Sequence, residues 1–120
     1  MKNAMYALTT AVLIAGTAIV VSSAPAVAAN SVALKQMELA FVGNPSQTTI
    51  QRLLDRALKS YGMSINEENY SRVGSTLVRM RKEFGPKEID ILNCVVSQGD
   101  MPKSVTIPNG IAICTTLLTP

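Results

Sequence analysis

The chain contains no histidine, which removes the usual general base, the commonest metal ligand and the usual pH switch together. Serine–histidine and cysteine–histidine catalysis are therefore excluded. Two cysteines, Cys94 and Cys114, lie twenty positions apart, and alone they do not make a zinc site, which takes four ligands from cysteine, histidine or carboxylate. Met37, Met63, Met80 and Met101 are scattered and lack histidine company, so they read as packing fillers rather than copper ligands. No phosphate-cradling glycine loop is present, and neither a cofactor nor a metal is expected. Eight carboxylates remain. A pair of carboxylates can hydrolyse glycosides, and Glu67, Glu68 and Glu88 would be the residues to test for a small hydrolase of an envelope polymer. Helix geometry explains them more simply. Glu67 and Glu68 fall in a first turn, where negative charge is favoured, and Glu83, Glu88 and Asp90 look like solvated flanks. The expectation is a protein without catalytic residues.

The cations offer the other chemistry. Arg79, Arg81 and Lys82 lie in a short basic run, and Arg72 precedes it by two turns. Helical spacing puts Arg72, Arg79 and Lys82 on the outer face of one helix, which makes them the candidate contacts for a protein or an anionic envelope polymer. Glu68 and Glu83 each stand four residues from one of these arginines, so a solvated face laced with ion pairs accounts for the same pattern. Arg81 borders the apolar side, where its stem can pack while the guanidinium reaches water.

The first 28 residues set the address. Lys2 precedes an uncharged, apolar run over 7–21, followed by Pro25 and the small residues Ala26 and Ala28 that a signal peptidase grips. Cleavage is expected between Ala28 and Ala29, giving a periplasmic or secreted chain. The apolar run is shorter than the ~20 residues of a spanning helix, so no membrane association is expected after cleavage. Ten basic and eight acidic residues then remain, a net charge of +2, too weak to imply nucleic acid, which an exported chain would not meet. In such a chain two cysteines read first as one disulfide. A Cys94–Cys114 bridge would staple a domain too small to rely on its core alone.

These residues sit on a helical scaffold centred on 66–97. Tyr70, Val73, Leu77, Met80 and Phe84 recur at spacings of three and four, the period of one helix face. Asn66 serves as N-cap, Gly85 stops the helix, and Pro86 can open the next, whose stripe is Ile89, Leu92, Val95 and Val96. Gly74 lies beside the central stripe and marks a close helix crossing, since glycine costs roughly 1 kcal/mol of helix propensity there. Upstream, 30–42 reads as a short helix capped by Ser31 with Leu34, Met37 and Phe41 on one side. After the break at 43–45, a strongly amphipathic helix over 48–61 is capped by Ser46 and ends at Gly62. Its short link to the central helix predicts antiparallel neighbours sharing apolar faces, including Leu54, Leu58, Leu77 and Met80. Asp55 and Lys59 stand in ion-pair order, and Tyr61 and Tyr70 flank the link as packed rings with hydroxyls at the edge.

The C-terminal segment has two readings. Asn109-Gly110 between β-branched runs is a hairpin signal; alternatively Pro108 opens a helix that shows Ile111, Cys114, Leu117 and Leu118 on one face. The sequence thus predicts an all-α fold, a small bundle of four to five short helices after a cleaved signal peptide 1–28, with the β-hairpin kept as the alternative for the tail. The single domain 29–120 divides into an N-terminal segment and linker (29–45), a helical core (46–98) and a C-terminal segment (99–120). In size, address and its single cysteine pair the chain resembles small helical periplasmic proteins such as acid-activated chaperones, a likeness of class only. The expected function is that of an exported, non-catalytic adaptor, inhibitor or immunity-type protein that binds a macromolecular partner in the bacterial envelope. A periplasmic stress chaperone is the alternative, and the carboxylate hydrolase comes third.

Overall fold

The computed structural model describes residues 30–99 and 105–120; the expected signal segment and the Ala28–Ala29 cleavage point lie outside the described residues. Five helices and no strand occur among them: α1 (Val32–Ala40), α2 (Gln47–Ser60), α3 (Glu67–Phe84), α4 (Glu88–Ser97) and α5 (Ile107–Leu118). The fold is the expected all-α bundle. Ser31, Ser46 and Asn66 each accept a backbone N–H three residues on, at 3.0, 3.2 and 2.8 Å, so the first three helices begin where a side-chain oxygen can replace a missing carbonyl. Gly62 and Gly85 have φ of 68° and 100°, which lets the chain leave α2 and α3 through the left-handed region.

The tail is a helix, not a hairpin. Thr106 Oγ1 accepts from Asn109 N at 3.3 Å, and Pro108 falls in the first turn, where its missing N–H is no loss. Gly110 is enclosed in this helix because Tyr61 lies against it: a Cβ there would strike the phenol oxygen. Pro86 does not open α4, whose N-cap is Lys87 without a side-chain bond; Gly85, Pro86 and Lys87 together make the turn.

Each helix has two principal neighbours, in the circuit α1–α2–α4–α5–α3–α1, which closes around one core. Leu34, Ile50, Leu54, Leu58, Tyr70, Leu77, Ile91, Leu92 and Ile111 are completely buried, each side chain of this size stabilising the fold by roughly 1.5–3 kcal/mol. Leu54, Leu58, Leu77 and Met80 are all in the core as expected, but α2 and α3 are not the main pair: they touch only slightly, and each spends its apolar face on other helices. Phe84, expected in the central stripe, is 46% exposed at the C-terminal end of α3. In α4 the buried positions are Glu88, Ile91, Leu92 and Val95, with Ile89 and Val96 half-buried. The face of α5 is also rotated from expectation. Leu117 and Leu118 are exposed, while Thr115 is buried with its hydroxyl donating to Ile111 O at 2.7 Å. Cys94 and Cys114 stand at disulfide distance, Cα atoms 5.8 Å apart, joining α4 to α5.

Candidate functional groove

Helices α1 and α3 cross at Gly74. A Cβ on that residue would lie 2.8 Å from Met37 Sδ, so the absence of a side chain is what lets the Met37 thioether of α1 lie directly on α3. On one side of the crossing lies an open groove of about 650 Å³. Its floor and walls come from α1 positions 33, 36, 37 and 40 and from α3 positions between Ser71 and Glu83, both sets at helical spacing. The α3 wall begins with small residues, Ser71, Gly74 and Ser75, and ends with Val78, Arg79, Lys82 and Glu83.

Carboxylates hold α1 in place at both ends. Helix α1 has no acidic residue in its first turn and no basic residue in its last, so it lacks the charges that usually complement its own dipole. Glu67 supplies the first from outside: its Oε1 accepts from Ser31 Oγ and its Oε2 from Ala33 N, both at 2.7 Å. At the other end Arg81 Nη2 donates to Ala40 O at 3.1 Å, and Glu88 Oε1 accepts from Val42 N at 3.1 Å. Glu88 is fully buried, and its Oε2 stands 3.1 Å from Arg81 Nη2 as a charge contact without hydrogen-bond alignment. Glu88 is therefore not the solvated flank expected, and Arg81 does more than cover apolar surface. Burial of the carboxylate is tolerable because a cation and a backbone donor face it. Sequence spacing contains no sign of this, since the partners at Ala40 and Val42 are more than forty residues away.

The three cations singled out by sequence do not act together. Arg72 pairs with Glu68 at 3.1 Å as anticipated, in full solvent, and borders a second hollow with Tyr61, Met63 and Pro108. Arg79 and Lys82 line the α1–α3 groove instead. The anticipated Arg79–Glu83 pair does not form: Arg79 Nη1 approaches Met80 Sδ at 3.9 Å, and no ion pair of Arg79 or Lys82 occurs among the described residues. No match exists among family models, curated proteins or solved structures.

Two further polar features are structural. Tyr70 Oη donates to Asp55 Oδ1 at 2.5 Å, bridging α2 and α3, so Asp55 is turned to Tyr70 rather than to Lys59. Burial raises the Asp55 carboxyl above its ordinary range, opposed by the bond from Tyr70, and burial with the nearby carboxylate raises the Tyr70 phenol. Tyr61 is also raised by burial, and its hydroxyl, pressed towards Gly110, has no hydrogen-bond partner. Among the described residues no three of His, Cys, Asp and Glu are grouped as a metal would need, and no helix is long and apolar enough to cross a membrane.

Proposed function

We propose that this chain is an exported, non-catalytic helical protein that binds a macromolecular partner in the bacterial envelope. The observation that carries the proposal is the α1–α3 groove, where Arg79 and Lys82 face solvent without a carboxylate partner among the described residues beside a floor of small and apolar side chains. Two of the three candidate carboxylates for a hydrolase, Glu67 and Glu88, are engaged in holding α1. That weakens the carboxylate-enzyme alternative. Quantitative capture from envelope extract, with the wild-type chain and an Arg79→Glu/Lys82→Glu variant as paired baits, tests the proposal: a partner retained by the first and lost by the second is expected. Equal recovery of every protein on both baits would count against it.

A stress-chaperone role has one specific observation in its favour. Helix α1 packs on the apolar core and is held at both ends by side chains of other helices, Glu67, Arg81 and Glu88, so its release is the movement that would expose that core. Reversible growth in particle size on acidification, measured by light scattering, is the expected result for that reading; an unchanged monomer or dimer throughout would dismiss it.

A further inference from the structure

The groove is open along one side, and its α3 wall runs from position 71 to 83, about three turns or roughly 18 Å of helix. An acyl chain or a drug-sized ligand needs most of its surface enclosed. An open trough leaves such a molecule half in water, whereas an amphipathic helix requires cover on one stripe only. The low floor at Ala33, Gly74 and Ser75 admits a third helix to the pair already crossed there. The α1 rim extends the apolar surface outward. Val32 and Leu39, 59% and 80% exposed, stand one turn to either side of Gln36, which lines the groove. Electrostatics selects among helices: Arg79 and Lys82 outnumber Glu83 on the wall, so an occupant with carboxylates at that end is matched. Among the described residues, the outward faces of α2 and α5 do not fit that description. The exposed apolar residues of α5, Ile113, Leu117 and Leu118, lie on a helix with no charge, and α2 presents Arg52, Arg56 and Lys59.

We infer that the groove between α1 and α3 receives an amphipathic helix of a partner protein, with small or apolar side chains on the floor and carboxylates directed to Arg79 and Lys82. The inference rests on the partner-binding function proposed above and specifies its chemistry. A photo-reactive benzoylphenylalanine placed at Ser75, in the groove, and separately at Thr116, on the exposed side of α5, tests it in the full chain expressed in its host. Light should join Ser75 to a protein, at a segment with apolar residues every three or four positions and acids near one end. A synthetic peptide of that segment should gain helical circular dichroism on titration with the chain. Arg79→Glu/Lys82→Glu should weaken its binding about tenfold or more, and lysines in place of the peptide's acids should recover it. Adducts of Ser75 with lipid, glycan or a second copy, or a captured peptide that binds without becoming helical, would overturn the inference. Capture of a protein from Thr116 alone would overturn it while leaving partner binding intact, and no macromolecular adduct from either position would remove both.

Discussion

Glutamine at position 88 keeps the shape of the side chain and an acceptor for Val42 N–H, and takes away the charge that faces Arg81. Two unit charges about 4 Å apart attract by roughly 4 kcal/mol at an effective dielectric of about 20. Desolvation of the fully buried Glu88 offsets part of that, and the Arg81 side chain, 25% exposed, can recover some hydration when left alone. Glu88→Gln should therefore cost about 1–2 kcal/mol. Glu88→Ala also leaves the Val42 amide without its acceptor and opens a void, so about 3–5 kcal/mol is expected. Against a total of roughly 5–13 kcal/mol for a domain of this size, either loss is easily measured. In urea, with a slope of about 1 kcal/mol per molar, the glutamine variant should lower the midpoint by about 1–2 M. Hydrogen exchange should show faster opening of α1 amides before those of α4 and α5. A cycle with Arg81→Met should give a coupling above about 0.5 kcal/mol. If Glu88→Gln unfolds with the wild-type midpoint and the two changes add, the buried pair does not hold α1 and the reasoning fails.

Asp55→Asn keeps an acceptor for Tyr70 and removes a charge whose folded-state pKa is raised. A carboxyl raised on folding disfavours the folded state at neutral pH and ceases to do so as pH falls through that pKa; the variant should thus match or exceed the wild-type melting temperature at pH 7, and its advantage should vanish near pH 3. Loss of stability at pH 7 with no gain at any pH would reverse the sign assigned to this group. Gly74→Ala should destabilise by about 1–3 kcal/mol through overpacking against Met37, yet become neutral or stabilising in a Met37→Ala background where only helix propensity remains. Additive thermal shifts across that pair would mean that the crossing is not set by this contact. Reduction of the Cys94–Cys114 pair should cost about 3 kcal/mol for a loop of twenty residues. Thiol titration of the unfolded, unreduced chain should find no free thiol, and finding two would dismiss the bridge.

Helix limits were legible because they are set locally. A cap at Ser31, Ser46 or Asn66 and a left-handed glycine at 62 or 85 act within a few residues of where they stand. The crossing at Gly74 was legible too, since a glycine inside an otherwise strong helix asks for a close neighbour. Which helices pack together was not. A short link suggested α2 beside α3, but both carry wide apolar faces, and the circuit assigns those faces to α1, α4 and α5 instead. The same limit hid Glu88. A carboxylate between Lys87 and Ile89 at a helix start looks solvated, and only the approach of the segment after α1 to the first residue of α4 makes it a buried partner of Val42 and Arg81. On α5 the sequence favoured leucines over a threonine for the inner face. The packed structure prefers the threonine because its hydroxyl is satisfied by its own helix while Gly110 makes room for Tyr61.

External capping of α1 also fixes the order in which the chain can become structured. A nine-residue helix is too short to persist alone in water, and this one takes its N-terminal acceptor from Glu67 and its C-terminal donor and acceptor from Arg81 and Glu88. From Val42 to Glu88 is a separation of 46 residues, which at about 5–20 residues per second is roughly 2–9 s of synthesis. During that interval α1 lacks the partner of the chain that leaves its C-terminal end. Among the described helices α1 is thus made first, yet it cannot be secured until α3 and the start of α4 have followed it.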